Sequence, residues 1–411
     1  MLKAIKIRLY PNTTQQSYTN RLLGCYRKVY NLCLDKKKTA YTDHQQNINL
    51  GDLGTYFHQD LTKSDEYSYL NEHNTKVLKQ SILIMLEAYT GFFKHGRGFP
   101  KFKSKHDKQS CRFPIDAISK KNVYLDSKIT LGANLKNISF ECSNRDKIYL
   151  NKYRTGVKSA TLSKTKSGKY YLSVLVEGIN NKIISLPIND IIGLDLGIKD
   201  FVVCSDGETY DNIKLKRTNA KKLVHLNRML SKKQKGSKNK NKARLVLAKF
   251  HEKLNNKKNN YLHHITSKLV SENQTIVIED LNVSGMMKNH CLAKSIQELS
   301  LYEFRRQLEY KCKWYGRELV VIDRWFPSSK LCSSCGVKNK VLSLSDREWS
   351  CECGAHHDRD INAAMNIAVE GNRIIGIRYP EYKLAEHPTM DDRLSNQVLK
   401  SSGVMKQEVR A

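Results

Sequence analysis

GLDLGIKD, residues 193–200, is the stretch on which the fold turns. Ile191, Ile192 and Leu194 make a short apolar strand that Asp195 ends. Gly193 and Gly197 on either side would let a chain or a ligand approach closely. Alone, the stretch could be a buried strand entering a turn. Two later stretches change its weight. IVIEDLN closes a second apolar strand on Glu279, and HDRDINAAMNIA opens a helix at Asp360. Each could be a bland feature by itself: Glu279 a rim carboxylate or helix cap, Asp360 the cap of its own helix.

The order of elements around them argues for more. DFVVCSD and ETYDNI follow GLDLG as two further short strands, then comes a lysine-rich helical region from about 214 to 272. Strand TIVIED, a helix from about Ser295 to Tyr315, strand ELVVID and a final helix from about Asp360 complete the series. A three-strand meander, helix, strand, helix, strand, helix is the order of an RNase H-like core. Such a core brings its first strand, fourth strand and last helix to one edge, where each would carry one of the three acids. Three carboxylates sharing a small space repel unless cations neutralise them, and all-oxygen ligation suits Mg²⁺. A pair of such ions is the chemistry of phosphodiester cleavage. Asp358 could support Asp360 or stand in for it; the sequence does not separate them.

Between the fourth strand and the last helix lie Cys332 and Cys335, then Cys351 and Cys353, each pair followed by a glycine, Gly336 and Gly354. Four thiolates at this spacing read as a closed, structural Zn²⁺ ribbon. The single-residue gap of the second pair departs from the usual two, so His356 or His357 could replace Cys353 as a ligand. The other seven cysteines are scattered singly, as free thiols of a reducing compartment.

Charge points to a polyanionic partner. The 411 residues hold 71 Lys and Arg against 40 Asp and Glu, a net charge of +31. An excess of this size is best neutralised by nucleic acid. Residues 214–258 concentrate it: 17 Lys or Arg, Lys232 and Lys233 among them, face one acid, Glu252. Acidic partners one helical turn away are almost absent, which suits a phosphate backbone. The start of the chain lacks an apolar signal core, and the longest apolar run, Ile82 to Leu86, is too short for a bilayer. The expectation is a cytoplasmic, nucleoid-associated prokaryotic protein without membrane partners.

The first half reads differently. KAIKIRLYP alternates like a strand, and residues from about Thr14 to Phe93 have helical periodicity. A glycine- and proline-broken loop, HGRGFPKFKSKHDK, interleaves Arg97, Lys101 and Lys103 with Phe99 and Phe102, a pattern suited to holding phosphates while bases stack. Its Phe residues could equally tuck into the core. From 110 to about 188 short strands follow (VYLD, KITL, ISFE, KSATLSKT, YYLSVLVEG, IISLPI), suggesting a small β-barrel or sandwich with KAIKIRLY as its first strand. The tail after about Gly371 lacks periodicity and is expected to be disordered.

IRLYPN, EAYTGFF (87–93), GFPKFKSK, GLDLGIKDF, IVIEDLNV, the run from RRQLEYKCKWYGRELVVIDRWFPSSK to LCSSCG, and HDRDINAAMNI resemble, in order, the pattern of the transposon-encoded TnpB proteins, compact relatives of type V CRISPR effectors. The resemblance runs from Lys3 to about Ile374 and is loose between 13 and 95. It implies an α/β plus β chain: a RuvC (RNase H-like) nuclease core with an inserted zinc ribbon, an OB-like β-barrel wedge domain and an α-helical recognition domain. The implied bounds are 1–12 for the first wedge strand, 13–95 for recognition and 96–188 for the wedge barrel. They continue with 189–330 for the nuclease, 331–355 for the ribbon, 356–374 for the last nuclease segment and 375–411 for a disordered tail.

The resemblance also implies an RNA-guided DNA endonuclease. Its catalytic, Mg²⁺-binding triad falls on Asp195, Glu279 and Asp360, and its zinc ligands on the four cysteines. Guide RNA from the transposon end would pair with double-stranded target DNA and unwind it, while the protein reads a short adjacent motif. Lys76 and Gln80, one helical turn apart, match positions that read this motif. Two rivals stand beside this reading: a guided DNA-binding regulator that does not cut, and a transposase performing strand transfer itself.

Overall fold

The computed structural model describes residues 2–114, 128–130, 139–151, 156–177, 189–343 and 345–378. Strand β1 (Leu2–Leu9) buries Ile5, Ile7 and Leu9 and exposes Lys6 and Arg8, the alternation of a half-buried strand. Asn12 and Gln15 then form a reciprocal capping box that starts α1 (Thr13–His44), whose buried stripe runs Leu22, Leu23, Tyr26, Val29, Tyr30 and Cys33. Helices α2 (Leu50–Thr55) and α3 (Thr75–His95) follow, the latter capped by Asn74. After the loop come β2 (Gln109–Pro114), β3 (Lys128–Thr130), β4 (Ser139–Glu141), α4 (Asn144–Asn151), β5 (Val157–Lys164) and β6 (Tyr170–Glu177).

The second half supplies β7 (Asn189–Asp195), β8 (Asp200–Cys204) and β9 (Thr209–Asp211), then α5 (Leu215–Thr218), α6 (Ala220–Ser231) and α7 (Lys238–Glu272). Strand β10 (Asn273–Glu279), helices α8 (Val283–Met286), α9 (His290–Leu299) and α10 (Leu301–Tyr315), and β11 (Glu318–Ile322) follow. The hairpin β12 (Glu348–Ser350) with β13 (His356–Asp358) leads into α11 (Arg359–Arg378).

Over the described residues the chain forms two compact units, one of 2–177 with 219–256 and the other of 189–218 with 257–378. The first is built on an antiparallel sheet of order β1-β6-β5-β2, with β3 and β4 as a separate pair. The distant first strand therefore does join the later strands, paired along its whole length with β6.

The second unit is built on a sheet of order β11-β10-β7-β8-β9. Strands β7, β8 and β9 form an antiparallel meander, while β10 lies parallel between β7 and β11. Helices cover both faces, as a sheet with buried parallel strands requires. Ile192, Leu194, Ile276 and Ile278 pack with Leu262 and Ile265 of α7 and Phe304 and Leu308 of α10; Val277, Val320 and Ile322 pack with Ile367 of α11.

Several expectations need correction. The single helix over 295–315 is two helices, because Ser300 sits at φ +57° and ends α9 before α10 begins. Residues 144–151, within the stretch expected to be strands, form α4. Helix α11 continues to Arg378, past the expected start of the tail, because Ile375 is buried and Ile374 packs beside it against the sheet core. Residues 219–256 group with the first unit, where Glu252 pairs with Lys169 at 2.7 Å. The strands expected at VYLD and IISLPI, and the tail beyond 378, lie outside the described residues.

Candidate active site and metal centre

The acid-bearing strands end side by side. Ile278 of β10 pairs with Leu194 of β7, so Glu279 and Asp195 are the next residues of two parallel neighbours, both at the C-terminal end of the sheet. Helix α11 is clamped onto β7 at Gly193, where a Cβ would fall within contact distance of the Ala364 carbonyl oxygen and 2.9 Å from the Ala368 Cβ. The glycine thus makes room for the helix carrying Asp360, rather than for a ligand. Gly371 does the same one layer on, beneath Val277 of β10.

Electrostatics ties the three together. Burial, then the charges of Glu279 and of Asp360, push the Asp195 carboxyl up to about 7, against the pull of Arg359 and the Leu196 amide. Burial also raises Glu279, opposed by a hydrogen bond that Ser328 Oγ donates to Glu279 Oε1 at 2.5 Å. Arg347 donates to Asp360 Oδ2 at 3.1 Å. Among the described residues only the cysteines bring their ligand atoms within 4.8 Å of one another, so the acids form a looser group. An all-oxygen donor set of this kind would suit Mg²⁺.

Neighbouring acids have other jobs. Asp358 Oδ1 accepts from the Asp360 and Ile361 amides, both at 2.9 Å, so Asp358 is the helix cap and leaves Asp360 free of that task. Asp280 is held below the usual carboxylate range by Arg305 and Arg324.

Cys332 and Cys353 have their sulfurs 3.7 Å apart, and Cys335 and Cys351 theirs 3.6 Å apart. Tetrahedral Zn²⁺ with bonds of about 2.3 Å would place its thiolates about 3.8 Å from one another. The four thiols fit zinc, and Cys353 completes the set. His357 instead places Nε2 3.1 Å from Cys332 Sγ, and His356 hydrogen-bonds Ser350 Oγ. Burial opposes ionisation of Cys332, yet the Cys335 amide, His357 and the Ser334 amide together bring its thiol down to about 6. Gly336 and Gly354 occupy the left-handed region at φ +77° and +89°, closing the two cysteine turns.

Helix α11 also grips this segment: Asn362 donates to the Leu331 carbonyl and accepts from the Ser333 amide, and Asn366 donates to the Ser328 and Leu331 carbonyls. Ser328, Asn362 and Asn366 escaped sequence reading. The two asparagines, one turn apart on a buried helix face, were the available signal.

In the first unit, Lys76 is exposed and Gln80 half-exposed on one side of α3. Arg97 and Lys101 are exposed, while Phe99 stays 43% exposed as it packs edge-on against Tyr89 and Phe92. Lys38, which the sequence did not single out, lies over the rings of Phe99 and Phe102 at 5.2 and 4.7 Å. Lys103 is different: its ammonium sits 3.6 Å from the Tyr30 ring centroid and its backbone is pinned from both sides by Asn31. Lys232 and Lys233 are exposed just after α6.

The Cas12f1-like TNB domain family matches residues 302–367, and the IS605 OrfB family, described as "Probable transposase", matches 174–290. A Streptomyces pristinaespiralis protein named "Putative RNA-guided DNA endonuclease" is 36% identical over 373 residues, 90% of this chain and 89% of its own. The chain belongs to the TnpB family. InsQ of Escherichia coli K12, under the same description, is 28% identical across 91% of this chain and 93% of its own. Among solved structures, a Cas12f1–sgRNA–target DNA complex shares the fold with a TM-score of 0.55, at 14% identity, over 90% of this TnpB-family chain and 98% of that one. Among the described residues no helix is long and apolar enough to cross a membrane.

Proposed function

We propose that this protein is an RNA-guided, Mg²⁺-dependent DNA endonuclease encoded by a transposable element, cutting with a RuvC-type carboxylate triad. The observation that carries the reading is the placement of Asp195 and Glu279 at the ends of adjacent parallel strands, with the helix that carries Asp360 packed on the first of them. On this reading the second unit is an RNase H-like core with an inserted zinc ribbon, and the first combines an OB-like wedge with a helical recognition bundle.

Asp195, Glu279 and Asp360 would hold the magnesium ions, which when bound activate the attacking water and stabilise the leaving 3′ oxygen. Ser328 fixes the orientation of Glu279, and α11, locked at Gly193, presents Asp360 beside the strands. Arg347 holds Asp360 in place. Cleavage would leave 5′-phosphate and 3′-hydroxyl ends.

The Cas12f1 neighbour was solved with a guide RNA and target DNA, and the charge of +31 here suits the same class of partners. Guide RNA derived from the transposon end would pair with the target, with the lysines of 214–258, Lys232 and Lys233 included, against its phosphates. Lys76 and Gln80 would read the adjacent motif in the DNA duplex. Arg97, Phe99 and Lys101 would hold single-stranded segments; Lys103, named with them from the sequence, would instead serve packing, its ammonium lying against the Tyr30 ring.

Sequencing the RNA that copurifies with the protein, then assaying plasmid cleavage with Mg²⁺ or EDTA, tests the proposal. A discrete RNA species whose variable end dictates the cut plasmid, with cutting lost in Asp195→Ala, is the expected result. Cutting that ignores the RNA, or survives Asp195→Ala, would overturn it.

A further inference from the structure

The turn that follows β11 holds an aromatic side chain in an unusual position. Ile322, the last residue of β11, is the register partner of Glu279. Three residues on, Trp325 is 84% exposed, more than Phe93 at 75% or Tyr302 at 74%. The turn beneath it is fixed. Asp323 Oδ1 accepts from the Trp325 amide at 2.7 Å, and the Asp323 carbonyl from the Phe326 amide at 3.2 Å. Phe326 packs into the sheet core with Val277 and Val320, and Ser328 reaches back to Glu279. On the other side Arg324 is paired with Asp280, the residue after Glu279, which Arg305 also holds. Arg324 and Phe326, on either side of Trp325, each have a partner at the sheet end, whereas the indole projects into solvent.

A rigid backbone, a bare aromatic face and a carboxylate cluster a few residues away suit a flat apolar partner delivered to that cluster. We propose that Trp325 is a positioning residue that stacks on an unpaired base of the DNA strand being cut, seating the neighbouring phosphate at the carboxylates. This rests on the endonuclease reading above and deepens it. Bases stack on aromatic rings whatever their identity, so such a platform holds any sequence, as a guided cutter requires.

The test uses the protein–guide RNA complex and target duplexes carrying one abasic nucleotide at successive positions around the cut. Trp325→Ala should slow single-turnover cleavage by roughly 5- to 150-fold, the range of one base stack, with guide-RNA affinity unchanged. Trp325→Phe should stay within a few-fold of wild type. One abasic position should slow the wild type as much as Trp325→Ala does, and slow Trp325→Ala no further. The proposal is overturned by wild-type cleavage in Trp325→Ala, by losses that multiply at every abasic position, or by a loss that tracks weakened guide-RNA binding. A wild-type complex that does not cut with Mg²⁺ would remove both readings, whereas a cutting wild type matched by Trp325→Ala would remove only this one.

Discussion

Ser328 and Glu279 are 49 residues apart in sequence and joined by a single hydrogen bond of 2.5 Å from hydroxyl to carboxylate. Ser328 is itself buried, with its carbonyl held by Asn366 of α11. The strand, the entry to the cysteine segment and the last helix therefore meet at one carboxylate. Hydrogen bonds to a ligand's carboxylate set its orientation and basicity. Ser328→Ala should lower cleavage about 10-fold and raise the Mg²⁺ concentration needed for half-maximal rate, since Glu279 then loses the group that opposes its raised proton affinity. A titration of rate against Mg²⁺ checks this; an unchanged half-saturation point would contradict it.

The raised Asp195 carboxyl predicts a pH dependence of definite sign. At about 7 it lies above the value of about 3.9 for an unfolded chain, so the folded state holds a proton that the unfolded state has lost. Stability of the protein in Mg²⁺-free buffer is then fully present below about pH 4 and declines as pH rises to about 7, by a few degrees in thermal midpoint. Asp195→Asn should flatten that slope. Cleavage should run the other way, rising with pH through about 7 at limiting Mg²⁺, with the midpoint moving lower as Mg²⁺ increases because metal and proton compete for one carboxylate.

Of the cysteine alternatives, the structure favours one with a measurable consequence. Cys353→Ser should reduce bound zinc to well below one equivalent and lower the thermal midpoint, while His356→Ala should leave zinc content unchanged. His357→Ala should keep zinc but bind it about 10-fold more weakly, since its ring faces a ligand sulfur rather than replacing one. Metal analysis of the three purified variants after dialysis against a chelator decides among them.

Much of this was legible in the strands, because the period-2 pattern and apolar runs of β1, β7 and β10 state which residues are buried. The element order around Asp195, Glu279 and Asp360 was legible for the same reason. What was hidden depended on backbone conformation or on side chains meeting across long separations. Nothing local in LSLYEF marks Ser300 as left-handed, for it has no glycine to signal the break. Asp358 and Asp360 carry the same functional group two residues apart, and only the direction of the α11 amides distinguishes cap from site.

Lys101 and Lys103 make the same point in two alternating residues of one loop. Lys101 is exposed, whereas Lys103 lies against Tyr30, and burial lowers its proton affinity. Lys101→Ala should weaken guide-RNA binding and reduce the salt dependence of log affinity by about one charge. Lys103→Ala should leave the salt dependence alone and destabilise the fold by about 1 kcal/mol, through the lost ring contact and packed stem. Binding isotherms across a salt series, beside thermal melts, separate the two.

Helix α11 offers the sharpest test of how the fold builds the site, because it contains glycines in opposite surroundings and faces another. A methyl at Gly193 would drive into the α11 backbone at Ala364 and Ala368, so either β7 or the helix must move. Gly193→Ala should cost about 3 kcal/mol, at the upper end for an overpacked site, and abolish cleavage by withdrawing Asp360 from Asp195. Gly376, in the last turns of the same helix, has no atom of the described residues within 4 Å of the place its Cβ would take. Gly376→Ala should therefore stabilise the chain by up to about 1 kcal/mol through helix propensity, with cleavage unaffected. Opposite shifts in thermal midpoint are expected from the same chemical change. Equal tolerance at both positions would mean that α11 is not seated on β7 as described, and that the carboxylates are brought together by other means.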